Sequence, residues 1–311
     1  MYNFRTDLAS ERRDLYCKAN SIENEVKGIE SEKEKINENI LVERVKITNE
    51  EGEKAIGKPI GNYITIDIRN LRIAQDEDIE KYSNILSNEL KKLIDSHVDK
   101  QGEILVVGLG NIYVTPDSLG PKVINNIEVT RHIIKYLPQY VEEGTRMVSA
   151  ISPGVLGTTG IETVEILKGI VENIHPKLII VIDALASRSI ERISSTVQLS
   201  DTGIVPGAGV GNKRTEISEI TLGVPVIAIG IPTVVETAVL VNDALDLFIS
   251  RLQDEAKSNN YLNELKIQDN YEGIKEVLMP GDYNLIVTPK EIDDLIKNMT
   301  EVVAQGINLS L

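Results

Sequence analysis

Two aspartates stand where a side chain can do chemistry. Asp117 lies in the glycine-bearing loop of VVGLGNIYVTPDSLGP, which follows the apolar run 104–107, and Asp183 directly follows the run LIIVI at the head of IDALAS. In an open parallel sheet, ligands bind outside the carboxyl ends of the strands, and both residues fall there. Two such carboxyl groups on one rim are more plausible as a catalytic acid–base pair than either is alone. Taken singly, an aspartate at a strand–helix junction is most often a cap or turn residue.

The same positional filter removes other candidates. His175 and His97 precede their strands, which puts them on the opposite rim, about 17 Å away over five strand residues. His132 lies ~15 Å or more along a helix running back from the rim. A Ser-His-Asp triad or a His-rich metal site is therefore not expected. Cys17, in a charged stretch, reads as a packing residue. Ser118 and Lys122 have the i, i+4 spacing of a nucleophile and its base, and equally that of a capping serine beside a solvated lysine. Gly108-Leu109-Gly110 would need glycine at the site of Tyr113 to bind a dinucleotide. The run Pro206–Arg214 lacks the second glycine of a phosphate loop, because Asn212 precedes Lys213. These glycines read as places where two backbones approach closely. No cofactor and no metal are expected.

The elements that must hold the aspartates follow from periodicity. Short Val/Ile-rich runs at Ile104–Val107, Leu178–Ile182, Val224–Ile229 and Asn284–Val287, with weaker ones at Tyr63–Ile68 and Met147–Ile151, suit a parallel sheet buried on both faces. Between them, Asp78–Ile94, Pro121–Leu137, Thr158–Ile174, Thr233–Leu252 and Pro289–Val303 carry helical stripes. Thr288-Pro289-Lys290-Glu291 has the form of a helix start. The alternation predicts one α/β domain over residues 8–311, with helices on both sheet faces. Residues 8–55 form a charged stretch poor in strand signals, a helix or a loose arm. Insertions fall near 188–222 and 253–282, lengths that are uncommon in compact domains and often functional.

Composition narrows the function classes. The 311 residues carry 33 Lys+Arg against 48 Asp+Glu, a net charge of −15, which argues against binding nucleic-acid phosphates. A single Cys excludes a disulfide scaffold. No apolar run approaches the ~20 residues of a membrane span, and the start lacks the apolar region of a secretory signal. The reading is an acidic protein of cytoplasmic type.

Long idiosyncratic strings then point to a family. RTDLASE, VVGLGNIYVTPDSLGP, SAISPGVLGTTGIET, IDALASRS, DTGIVPGAGVGNKR, PVIAIGIPTVVE and VTPKEIDDLIKNM run from the N-terminus to the last helix. They resemble the germination protease, or spore protease, of spore-forming bacteria. The resemblance implies an endopeptidase that degrades small acid-soluble spore proteins in the germinating spore core. It implies a homotetramer made as a zymogen, and a three-layer αβα sandwich with a mostly parallel sheet, similar to hydrogenase-maturation peptidases. It places the family's proposed catalytic aspartates at Asp117 and Asp183, the pair the positional filter selects. Thr6-Asp7-Leu8-Ala9-Ser10-Glu11 looks like the family's target sequence with Asp in place of Glu. This implies self-cleavage between Asp7 and Leu8, with residues 1–7 a propeptide on a short mobile tail. A chain beginning at Met1 is expected to be the precursor. The other reading of these residues is an ordinary cap, with Asp7 starting a helix.

Which aspartate is acid and which is base stays open at this point. Asp7 would bring a third negative charge into the site, so mild acid is expected to favour self-cleavage. Arg188, Lys213 and Arg214, the cations nearest the matching loops, are candidates to receive the substrate's acidic side chain; solvated loop charges would look the same. Two alternatives remain. A metal-dependent peptidase would use the same aspartates with Glu236 or Glu162 as ligands, and a non-catalytic protein would bind and hold spore proteins.

Overall fold

A computed structural model describes residues 6–22, 26–69, 71–208, 214–255, 271–278 and 285–311. Among the described residues nine strands make one sheet: β1 (Ile29–Asn37), β2 (Ile40–Ile47), β3 (Gly61–Ile68), β4 (Ile104–Gly108), β5 (Val148–Ile151), β6 (Leu178–Ser187), β7 (Thr196–Ser200), β8 (Val226–Glu236) and β9 (Ile286–Val287). Their order is β1-β2-β3-β7-β8-β6-β4-β5, with β9 beside β8. The predicted runs at 104–107, 147–151, 178–182 and 224–229 form the parallel part, in which β8, β6, β4 and β5 are neighbours, whereas the run 63–68 is β3, which pairs antiparallel on both sides.

Alternate residues of these strands face opposite layers. Ile104, Val106, Ile180, Ile182 and Ile229 pack with the helices Asp76–His97, Leu119–Ile124 and Ile292–Ser310. Leu105, Val107, Ile179 and Val181 pack on the other face with Val164 and Leu167 of Thr163–Ile174. Apolar residues on both sides of a strand are what a sheet covered by two helix layers requires. The three-layer α/β architecture follows.

The antiparallel wing was not legible in the same way. The charged stretch within 8–55 contains the helix Ala9–Asn20 and, in β1 and β2, an antiparallel hairpin that extends the sheet through β3. β1 escapes pattern reading because ESEKEKIN is exposed along nearly its whole length; an outer strand with charged side chains on both faces shows no apolar alternation. The region 188–222 hides β7, five residues that join the wing to β8. Of 253–282, most lies outside the described residues.

Several expected helices differ in extent. The stripe 121–137 divides into Leu119–Ile124 and Arg131–Tyr136, and 158–174 breaks at Gly160, which adopts φ +72° between Leu156–Thr159 and Thr163–Ile174. Thr233–Glu236 completes β8 before the helix Thr237–Glu255. The last helix starts at Ile292 rather than at Pro289, because the Thr288 hydroxyl bonds the Thr233 carbonyl (3.0 Å) instead of capping. β9 is a two-residue exposed antiparallel strand, not a buried parallel one.

Candidate functional site

The chain leaves β4 for β5 on one side, while β6 and β8 lie on the other, so the crevice between the carboxyl ends of β4 and β6 is a topological switch point. β4 stops level with Ile182, whose carbonyl accepts from the Leu109 amide (2.8 Å). Asp183 is the next residue of β6. It is 6% exposed, and one carboxylate oxygen accepts the following amide, that of Ala184, at 2.9 Å.

Asp117 reaches the crevice from the loop after β4. Gly110 makes the loop possible: its φ is +113°, and a Cβ there would meet the Asp117 carbonyl oxygen at 2.0 Å. The loop closes in the single turn Thr115–Asp117, and the Asp117 carboxylate accepts the Asn111 amide at 2.8 Å. Ser118 behind it is buried, its hydroxyl given to the Thr115 carbonyl at 2.8 Å, so it is a turn residue and not a nucleophile. Asp117, Asp183, Gly110, Glu162, Leu185 and Arg214 contribute to one cavity of about 480 Å³. The cavity is of a size and depth that suits a ligand or a peptide side chain.

Three carboxyl groups share this neighbourhood. Burial raises the Asp183 pKa well above the ordinary aspartate value, and the charges of Asp117 and Asp7 raise it further against the single Ala184 amide. Asp117, half-buried, is raised by desolvation and partly restored by the Asn111 amide. Asp7 is raised by desolvation, opposed by Lys58, the Ala186 amide and Arg12.

The segment Thr6–Glu11 is therefore not a mobile tail. Thr6, Leu8, Ala9 and Ser10 are buried, and the Thr6 hydroxyl bonds Glu11 while accepting the Leu8 amide at 3.1 Å. The helix begins after Leu8, so Asp7 does not cap it. A bulge interrupts the β6–β8 register between Leu185 and Ala186, and there the Ala186 backbone holds Asp7. The Asp7 amide donates to the Ala186 carbonyl (3.2 Å), and the Ala186 amide donates to the Asp7 carboxylate (3.1 Å). Bulges next to functional sites commonly re-aim backbone groups in this way.

Gln198 completes the hold. Its side-chain oxygen accepts the Ala9 amide at 2.7 Å, and its side-chain amide donates to the Asp7 carbonyl at 3.3 Å. Register explains its place: Thr65, Gln198, Gly230 and Asp183 form one row across β3, β7, β8 and β6. Gln198 and Asp183 thus share a face two strands apart, ~10 Å at 4.8 Å per strand. Between them Gly230 contributes no side chain. The Asp7–Leu8 peptide lies within reach of this row.

The remaining sequence candidates separate. Arg214 lines the aspartate cavity, 3.8 Å from Glu162. Arg188 does not; its guanidinium pairs with Asp243 at 2.7 Å in a different groove. Lys213 lies outside the described residues. Glu236 is buried in β8 and is not part of the cavity wall, and among the described residues no group of three or more His, Cys, Asp or Glu is placed to hold a metal. Sequence reading missed Gln198, Arg12 and Lys58. Gln198 and Lys58 are lone polar residues with no motif around them, and Arg12, just after RTDLASE, is one cation in a charged run; nothing in their spacing marks them for the site.

Fold and site together define a three-layer α/β protein whose acidic cleft opens at the carboxyl ends of parallel strands, with its own N-terminal segment beside the cleft. A model of the germination protease family matches residues 6–267 and 259–311. A germination protease of Clostridium perfringens is 47% identical over 315 residues, all of this chain and 96% of that protein. One of Caldanaerobacter subterraneus subsp. tengcongensis is 49% identical over 312 residues (99% and 94%), and one of Bacillus cereus 40% over 346 residues (100% and 94%). Among solved structures, the NiFe hydrogenase maturation protease HycI of Thermococcus kodakarensis matches 47% of this chain and 80% of its own, at 16% identity and a TM-score of 0.29. The chain belongs to the germination protease family, and is a peptidase. No helix among the described residues is long and apolar enough to cross a membrane.

Proposed function

We propose that the chain is an endopeptidase of small acid-soluble spore proteins, acting in the spore core at germination and made as a zymogen that cuts itself between Asp7 and Leu8. One observation carries the reading. The bond that matches the family's target is held by Ala186 and Gln198 on the side of Asp183, close enough for the Asp7 charge to act on that carboxyl. Homotetramer assembly rests on the family resemblance and is supported by exposed Leu247 and Phe248 on the helix Thr237–Glu255.

The environments of the two carboxyls suggest their roles. Asp183 is the more deeply buried and the more strongly raised, so it is the carboxyl that holds a proton; Asp117, with its amide donor, is the ionised partner. Asp117 takes a proton from water, and the water oxygen attacks the Asp7 carbonyl carbon. Gln198 donates to the carbonyl oxygen as negative charge grows there. Asp183 gives its proton to the Leu8 nitrogen as the C–N bond breaks, leaving a new carboxylic acid on Asp7, an amine on Leu8, and the proton taken from water on Asp117. With Asp183 protonated, protonation of Asp7 removes one of the two remaining negative charges, which favours self-cleavage in mild acid.

Mass analysis after incubation tests this. The wild-type chain should lose Met1–Asp7, while Asp117→Asn and Asp183→Asn should stay full-length; shortening at the wild-type rate in both variants would remove the pair from the mechanism. Loss of shortening on chelation, restored by one divalent metal, would instead assign the carboxylates and Glu162 to a metal.

A further inference from the structure

A second cavity, of about 230 Å³, lies on the other side of Leu185, which lines both. Its wall includes Asp7, Arg12, Lys58, Tyr63, Gln198 and Glu216. We propose that Lys58 in this cavity is the residue that reads the acidic side chain ahead of the scissile bond, in protein substrates as in the chain's own Asp7. The inference rests on the reading that the cut follows Asp7; it assigns the recognition of that residue, which the cleavage chemistry leaves open.

Arg12, Tyr63 and Gln198 are committed to other partners, while Glu216, at the cavity wall, makes no hydrogen bond and no ion pair among the described residues. The Arg12 Nε donates to the Thr6 carbonyl at 2.8 Å and its Nη1 to the Gly57 carbonyl at 2.9 Å, so it clamps backbone. The Tyr63 hydroxyl donates to the Pro59 carbonyl (2.8 Å) and accepts from Thr202 (3.1 Å). Lys58 is different. It is half-buried, and among the described residues it makes no hydrogen bond and no ion pair within 4 Å. Desolvation and the neighbouring Arg12 charge push its pKa down to about 8, with Asp7 acting in the opposite direction. A desolvated ammonium left without a direct partner is costly unless an anion arrives to meet it.

Geometry also predicts that Glu is read better than Asp at this position. The Asp7 carboxylate is held by the Ala186 amide and stops short of ion-pair distance from Lys58. One more methylene extends the side chain by roughly 1.5 Å, the length of a C–C bond, towards the ammonium. Once residues 1–7 are gone, the Ala186 amide and Lys58 together offer an incoming acidic side chain a hydrogen-bond donor and a charge. Arg188 and Arg214, chosen by nearness in sequence, face other partners.

The test uses the chain beginning at Leu8 and peptides copying residues 1–14 with Glu or Gln at the position of Asp7. The wild-type protein should favour Glu over Gln by about 10²-fold in kcat/KM, the scale of one charged hydrogen bond. Lys58→Met should bring that ratio towards one, chiefly through KM, and Lys58→Arg should keep most of it. An unchanged ratio in a folded Lys58→Met protein, or no preference in the wild type, overturns the proposal. Peptide binding to Asp183→Asn, with and without Lys58→Met, reads the same ratio without cleavage. If selective binding depends on Lys58 but no peptide is cut after the acidic residue, the cleavage reading fails and the recognition site stands.

Discussion

Strands β8, β6 and β4 run parallel and are buried along their length, whereas β7, β3, β2 and β1 alternate in direction and end in a charged, exposed strand. The two halves contribute different things to one site. Asp183 comes from a parallel strand and Asp117 from the loop after another. Gln198 comes from β7, Lys58 from the turn ahead of β3 and Arg12 from the helix packed on β2 and β3. In the proposed mechanism the parallel half supplies the proton-transfer groups, and the antiparallel half presents the polypeptide to them. If that division is right, mutations should separate rate from recognition according to the half they fall in.

The largest effect belongs to Asp183→Asn. Cleavage should fall by 10³-fold or more, since acid–base catalysis alone supplies about 10²–10⁴. The same change should stabilise the fold at neutral pH. Asp183 binds its proton more tightly folded than unfolded, so its stability contribution is fully present below the unfolded aspartate value of ~3.9 and lost as pH rises through the raised folded value. Asn is neutral without taking up a proton, so the variant should return on the order of 1–3 kcal/mol at neutral pH, with the difference vanishing towards pH 4. Thermal melts of both proteins across pH measure this; a variant less stable than wild type at neutral pH would contradict it.

Gln198→Leu comes next and probes the other half. It removes the donor to the Asp7 carbonyl and the acceptor for the Ala9 amide while keeping most of the side-chain volume. Self-cleavage should slow by ~10²-fold, the scale of losing one donor to a developing oxyanion. The pH dependence of the remaining rate should not move, because neither aspartate loses a partner. A changed pH profile would mean that Gln198 acts through the carboxyls, and the halves would not be separable.

How far the sequence reveals each half follows from burial. β4, β6 and β8 announce themselves because both faces are covered, and the carboxyl-end rule then isolates Asp117 and Asp183 without any histidine or metal signature. The hairpin of β1 and β2 stays hidden because an exposed outer strand has no reason to alternate apolar with polar. β7 is only five residues long, and its polar Gln198 acquires a meaning only through the register that sets it two strands from Asp183. Lys58, in GKPIG, carries no local pattern at all. Recognition residues brought together by long-range antiparallel pairing leave no spacing to read, whereas those at the ends of parallel strands do.

Arg188→Ala carries the smallest expected effect and the sharpest contrast with Lys58. Arg188 follows β6 directly, so it belongs to the parallel half, and its position after IDALAS makes it the natural sequence choice for an acidic substrate. Its guanidinium, however, is paired with Asp243 at 2.7 Å, with both side chains more than a third exposed. The tie it makes towards the N-terminal segment runs from its backbone amide to Glu11, and alanine keeps that bond. An exposed pair contributes about 0.2–1 kcal/mol, so stability should change by less than that upper figure. The Glu-to-Gln preference measured on the paired peptides should stay within twofold of wild type. Collapse of that preference in Arg188→Ala would place recognition on the same half as proton transfer, because the acidic side chain would then be met from beyond β6 and not from the turn ahead of β3.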